Sequence, residues 1–433
     1  MNNKRNSALC IILALSFLFT GTGLFPLPAK ADQTLYIEAD PLLPRLSLFS
    51  AAEPSKDWAF TETEFSALPL FNLTGQGVRV GIIDSGISPH QDLPNQKIVA
   101  AASFVDGEPT TEDLFGHGTS VAAVVAGQSE AGVGAKGVAP DVEIVNARVL
   151  GSDGIMDISV LPYAIDYCVE QGCDVINMSL GTNVPGIDDY TKYKVLIDCR
   201  DAIQRAISAG CIVVAAAGNH GVDTGSIDFL VYPASLPDVI SVGSTKEGYA
   251  HSAFSQENES VFVSAPGSKV YTATNSSEAS YGFVSGTSVA APFISGIAAL
   301  IKEAYPNATQ SQVKSFLMSA VIDLGNEGLD YSFGYGLING KKLAKALRNS
   351  DFYAYFDENG TAYAANIGDD AEVLSYVSTY SGQRYTGTLD LSFKLKSMQK
   401  TELEMPGTGT VKRFFWLENS FSPLCGSLTK SNN

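Results

Sequence analysis

Histidine, cysteine and positive charge are all in short supply in this chain of 433 residues. Only four histidines occur, His90, His117, His220 and His251, so proton transfer near neutral pH has few imidazoles to draw on. Of six cysteines none stands in a CxxC or comparable spacing, which leaves zinc binding unsupported. Lys and Arg number 28 against 46 Asp and Glu, a formal charge of −18. That balance argues against nucleic acid as a partner and for a solvated acidic surface. Long apolar runs are missing as well. The most continuous one, Ala8 to Phe19, follows Lys4 and Arg5 and precedes the small-x-small site Ala29-Lys30-Ala31; it falls short of the ~20 residues a spanning helix needs. Residues 1–31 therefore read as a secretory signal peptide, and the expectation is a secreted, extracellular protein with no stable membrane anchor. Its removal takes three positive charges and Cys10, leaving −21 and five cysteines. Cys173 and Cys211 each precede an apolar strand, and two readings stay open: a bridge between them, or buried thiols acting as small hydrophobes.

What is present is an alternation. Val78 to Ile83, Glu143 to Leu150, Asp174 to Met178, Ile212 to Ala217 and Val239 to Gly243 are short runs, most of them apolar on both faces, as in parallel strands covered on both sides. Between them, Ile158 to Gln171 and Val195 to Ala209 carry apolar residues at helical spacing. The predicted fold class is α/β, a doubly wound, mostly parallel sheet covered by helices. Ligands of such sheets bind beyond the carboxyl ends of the strands, where Asp84, Ser179 and Asn219 fall. From Ser350 onward short, partly alternating runs are separated by turns such as Glu358-Asn359-Gly360 and Gly407-Thr408-Gly409. Residues 350–433 are predicted to form a small C-terminal β-sandwich, either a structural appendage or a binding module.

Three glycine-flanked motifs carry the chemistry. Gly81-Ile82-Ile83-Asp84-Ser85-Gly86 ends a strand, Gly116-His117-Gly118-Thr119-Ser120 opens an alanine-rich helix, and Ser285-Gly286-Thr287-Ser288-Val289-Ala290-Ala291-Pro292 opens another. A serine hydroxyl is a poor nucleophile unless an imidazole takes its proton and a carboxylate holds that imidazole in the right tautomer. Asp84, His117 and Ser288 supply these roles in the order acid, base, nucleophile. Pro292 is expected in the first turn of its helix, where the missing N–H costs nothing, and Gly118 is expected to leave room for substrate. A GxSxG hydrolase would need glycine where Ala290 stands.

With these motifs the chain resembles the subtilisin-like serine proteases over roughly residues 56–349. The resemblance implies a subtilisin-like catalytic domain there, preceded by a short pro-like segment at 32–55. It also implies secreted endopeptidase action through an Asp84-His117-Ser288 triad and an acyl-enzyme, with protein or peptide as substrate. Ala215-Ala216-Ala217-Gly218-Asn219 matches the family's oxyanion segment, making the Asn219 amide a donor to the developing oxyanion. Ser179-Leu180-Gly181 and Gly151-Ser152-Asp153-Gly154 match the two edges that hold substrate as an added strand, with Gly218 beside them, and Val231 in Val231-Tyr232-Pro233-Ala234 matches the pocket floor. A shallow pocket for small or medium apolar side chains follows. No cofactor is implied for the chemistry and no metal ligand is assigned. Structural calcium stays open: Asp92 matches a ligand position, the loop Gln128 to Lys136 lacks the expected asparagine, and a solvated turn residue is the other reading of Asp92. The 32–55 segment is too short for an independent pro-domain, so folding proceeds unaided or with a pro-domain or chaperone from another chain. The alternative functions are a catalytically silent binding protein on the same fold, and an esterase.

Overall fold

The computed structural model describes residues 36–39, 54–129, 133–184, 193–221, 230–381, 383–417 and 423–432. The signal peptide expected at 1–31 and most of the 32–55 segment lie outside them. The described chain begins with β1 (Tyr36–Ala39) and two short helices, α1 (Trp58–Glu62) and α2 (Ala67–Leu70). The strands β2 (Arg79–Asp84), β3 (Ile98–Ser103) and β4 (Glu143–Arg148) follow, with α3 (Gly118–Ala126) between the last two. Next come β5 (Ile155–Asp157), α4 (Leu161–Glu170), β6 (Val175–Met178), β7 (Leu180–Val184), α5 (Lys194–Ser208) and β8 (Ile212–Ala216). β9 (Leu230–Tyr232), β10 (Ile240–Lys246) and α6 (Thr287–Ala304) complete the elements that position the site.

The central sheet runs from Val321–Ile322 and Leu337–Ile338 through Val263–Pro266, β10, β8, β6, β2 and β4 to β3. It is parallel from Leu337–Ile338 to β3. Successive side chains of a strand point to opposite faces, and the core divides accordingly. Val80, Ile82, Ile144, Val175 and Val214 pack with α3 and α6 on one face. Ile83, Val145, Ile176, Met178 and Val213 pack with α4 and α5 on the other. Each such buried side chain contributes roughly 1.5–3 kcal/mol. The five predicted inner strands are present with ends shifted by a few residues. β3 escaped prediction because, as an edge strand, its residues are half-buried or exposed.

The cysteines among the described residues are all free thiols. The Cys211 thiol donates to the Cys173 carbonyl at 3.0 Å, and burial pushes Cys199 and Cys211 up to about 12, so the buried-thiol reading holds and the bridge does not form. After the central sheet, a three-stranded sheet (Phe352–Phe356, Ala362–Asn366, Gln399–Leu403) faces one built on Ala371–Ser381 and Gly409–Leu417. They share a core of Phe352, Ala364, Val373, Leu395 and Phe415. Ala365 and Ile367 join the main core instead.

Candidate active site

β2, β6 and β8 are parallel neighbours, so their carboxyl ends share one edge of the sheet, and Asp84, Ser179 and Asn219 stand there. Asp84 closes β2, and His117 is the residue just before α3. His117 Nδ1 lies 2.7 Å from Asp84 Oδ1, with the two side chains 0% and 1% exposed. A carboxylate so placed would be costly without partners; besides the imidazole, Asp84 Oδ1 accepts the Ser85 N–H at 2.7 Å. The bond to Nδ1 fixes the tautomer that leaves Nε2 as the second imidazole nitrogen for chemistry.

Sequence reasoning missed the residue that holds this arrangement. Asp113 is buried, and its two oxygens accept from Ser85 Oγ (2.7 Å), Gly116 N (2.6 Å), Thr119 N (2.9 Å) and Thr119 Oγ1 (2.8 Å). It caps the start of α3 and pins the loop carrying His117, while Ser85 Oγ accepts from Gly118 N at 2.9 Å. No local signal marked it: Asp113 stands four residues ahead of His117 and six ahead of Thr119, beyond the three-residue reach of a helix cap. The expected reason for Gly118 is also corrected: a Cβ there would lie 2.2 Å from the Gly86 carbonyl oxygen and 3.1 Å from Asp84 Oδ1. The glycine makes room for the acid and its turn.

Ser288 occupies the first turn of α6 and is buried. Asn219 Oδ1 accepts from Thr287 N (2.8 Å) and Thr287 Oγ1 (3.1 Å), and Gly218 N donates to Thr287 Oγ1 (3.0 Å). With Oδ1 so committed, the amide nitrogen is turned the other way: a Cβ on Gly286 would meet Ser288 Oγ at 2.6 Å and Asn219 Nδ2 at 3.2 Å. Serine hydroxyl and asparagine amide thus flank one small space that only glycine leaves open. Pro292 is not in the first turn but inside the helix. Its missing N–H and its ring deprive the Ser288 carbonyl, four residues earlier, of a helical partner. Ser179 Oγ supplies one at 2.7 Å, itself accepting from Asn177 Nδ2 at 2.9 Å, and Asn177 Oδ1 accepts from Ser295 Oγ at 2.8 Å. This buried polar chain ties the end of β6 to α6, and α6 packs against α3, joining the two halves of the site.

Beside Ser288 runs a cleft edge. Leu180 and Gly181 begin β7, which pairs with β9. Val231 is wedged between two glycines: a Cβ on Gly181 would lie 2.4 Å from its Cγ1 and one on Gly218 2.5 Å from its Cγ2. Across β1 from β7 lies β5. Gly151, Ser152 and Gly154 form the turn before it, closed by Gly154 N to Gly151 O (3.0 Å) and Gly151 N to Ile155 O (2.9 Å) and anchored by Ser152 Oγ on Glu108 (3.1 Å).

Two other histidines have structural partners. His90 Nδ1 accepts from Asp92 N at 3.1 Å and Nε2 meets the Ser280 carbonyl at 3.1 Å. His251 lies 3.3 Å from Glu257, with burial pulling its pKa down. Asp92 is no solvated turn residue. It is buried, and its Oδ2 accepts from Ala135 N (2.8 Å) and Tyr281 OH (2.7 Å). Among the described residues no group of three or more His, Cys, Asp and Glu side chains could hold a metal ion.

Comparison with known proteins identifies the family. Residues 75–336 match the Subtilase family model, Peptidase_S8. M-protease of Shouchella clausii (strain KSM-K16) is 34% identical over 317 residues, 73% of this chain and 76% of that protein. Subtilisin DY of Bacillus licheniformis is 40% identical over 272 residues, 63% of this chain and 92% of that protein. Among solved structures, MycP1 with its N-terminal propeptide removed superposes with a TM-score of 0.58 at 27% identity, covering 66% of this chain and 96% of that one. This chain belongs to the subtilase family and is a serine-type endopeptidase.

Proposed function

We propose that the chain is exported and cleaves proteins through Ser288 as nucleophile, His117 as general base and then general acid, and Asp84 as the group that orients and charge-balances the imidazole. The single observation that carries this reading is the fully buried His117–Asp84 pair at 2.7 Å. Ser288 Oγ gives its proton to His117 Nε2 as it attacks the scissile carbonyl; the resulting tetrahedral oxyanion takes hydrogen bonds from Asn219 Nδ2 and the Ser288 N–H. The proton passes to the leaving amine, and water then hydrolyses the acyl-enzyme by the same steps in reverse. Substrate lies extended between Leu180–Gly181 and the β5 edge, and its side chain before the cleaved bond enters a pocket walled by Val231. The wedged valine suits small or medium apolar residues. The catalytic domain spans 56–349, and 350–433 is an accessory sandwich.

An organofluorophosphate should label the wild-type chain stoichiometrically and leave Ser288→Ala unlabelled. Persistent labelling of that variant, or none of the wild type, would sink the assignment. Cleavage of long-chain esters without any peptide hydrolysis would point to an esterase instead.

A further inference from the structure

Among the described residues Arg148 is the largest fully buried side chain, and it takes no part in the proton transfers. It closes β4 in register beside Asp84. Val80 and Ile82 of β2 and Ile144 of β4 face α3 and α6, so alternation puts Asp84 and Arg148 on that same face. The guanidinium donates through Nε to the Ser85 carbonyl (3.2 Å), and through its terminal nitrogens to the Thr110 carbonyl (2.9 Å) and a Glu108 carboxylate oxygen. Ser85 also gives its N–H to Asp84 and its hydroxyl to Asp113, so Arg148 holds the remaining polar group of the turn after the triad acid. Glu108 has a second set of partners. Its carboxylate accepts from Ser152 N (3.2 Å) and Ser152 Oγ (3.1 Å), in the turn that precedes β5. The hydrogen bond from Arg148, aided by those from Ser152, holds the Glu108 carboxyl below its usual range.

Resting on the protease reading above, we propose that Glu108 and Arg148 are a positioning pair serving both sides of the site: Arg148 fixes the turn after Asp84 and the charge felt by His117, and Glu108 fixes the 151–154 turn beside the substrate. The charges around His117 are few. Asp84 and Asp113 are the buried carboxylates there, α3 carries no charged residue, and α6 carries none before Lys302. Glu112 and Asp153 are exposed, where water screens them. Arg148 is the buried cation on β4, and Glu108 cancels most of its field.

The test is a pH profile of kcat/KM on a short chromogenic peptide. Only neutral imidazole can take the Ser288 proton, so the acid limb reads the His117 pKa. Glu108→Gln leaves the guanidinium uncompensated, disfavours imidazolium and should move that limb to lower pH by roughly half a unit. Arg148→Met leaves the carboxylate alone and should move it to higher pH by about as much. The double variant Glu108→Gln/Arg148→Met removes both charges and should bring the limb back to within roughly 0.2 unit of wild type. Ser152→Ala keeps the ion pair and loses one bond to the turn, so KM should rise roughly three-fold while the limb stays in place. A pair that only braces the fold would lower stability without moving the limb in opposite directions. Coincident limbs in wild type and Glu108→Gln, or a move to higher pH in that variant, would overturn the charge role; an unchanged KM in Ser152→Ala would overturn the role at the turn. Should Arg148→Met fail to fold, the sign of the Glu108→Gln shift decides alone. The His117 imidazole is also titrated by NMR in the Ser288→Ala background, with and without Glu108→Gln. If the wild-type chain neither hydrolyses peptide nor takes an organofluorophosphate, the protease reading fails instead, and this titration still decides whether the pair sets the charge on the imidazole.

Discussion

Two regions of this molecule bury polar groups for different ends. At the carboxyl edge of the central sheet, Asp84, Asp113, His117, Ser179 and Ser288 are all buried, and Asp113 accepts from four donors. In the C-terminal sandwich the buried polar centre is Arg413, which donates to Ser375 Oγ (2.6 Å), the Glu404 carbonyl (2.6 Å) and the Leu391 carbonyl (2.9 Å). Phe393 and Phe415 lie 5.5 and 5.8 Å from its guanidinium. Burial lowers the Arg413 pKa, and its hydrogen-bond partners are neutral. On the function proposed above, the buried polarity of the first region orients reacting groups; that of the second pins strands together. Burial with hydrogen bonds therefore does not by itself mark a site; a titratable pair tied to a nucleophile-bearing helix does.

The sharpest way to break this contrast is at the reacting groups. Ser288→Ala or His117→Ala should lower kcat by ~10⁶ and Asn219→Ala by ~10² to 10³, the figures known for subtilisin, with thermal unfolding nearly unchanged; peptide-anilide kinetics and calorimetry on the same samples read both. Asp113→Asn tests whether a group that never touches substrate belongs with the first region. Its amide cannot accept from all four donors, so stability should fall by roughly 2–4 kcal/mol and kcat by ~10² as His117 drifts. KM should stay fixed; a parallel rise in KM would make Asp113 a cleft residue instead. Arg413→Met should unfold the sandwich more easily, by roughly 1–3 kcal/mol for the hydrogen bonds lost and acceptors stranded, and leave kcat/KM alone. Loss of activity there would erase the distinction. The smallest effect expected is on thiol labelling: burial holds Cys199 and Cys211 as thiols up to about 12, so a maleimide at neutral pH should react with them only after denaturation.

Much of this was readable in advance where the signal is local. The apolar runs marked the inner strands because a strand covered on both faces must be apolar on both, and the glycines around Asp84, His117 and Ser288 marked turns where backbone approaches backbone. Readings failed where the reason was a distant contact. Gly118 was explained by substrate, yet the Gly86 carbonyl and Asp84 require it; Pro292 was set one turn too early, since nothing local shows that Ser179 makes up for its lost hydrogen bond. Which residues beyond the 151–154 turn pair as a strand depends likewise on which strand comes alongside.

The sequence by itself determined the fold class and the identity of the acid, base and nucleophile candidates, because periodicity, glycine turns and short motifs are properties of neighbouring positions. Only the tertiary structure decided that Asp113 holds the His117 loop, that Asn219 is turned by Thr287, and that residues 36–39 lie between β5 and β7. Each of those is a hydrogen bond or strand pairing formed with a partner that the fold chooses, and a few polar residues or a four-residue strand leave no periodic trace from which that partner could be read.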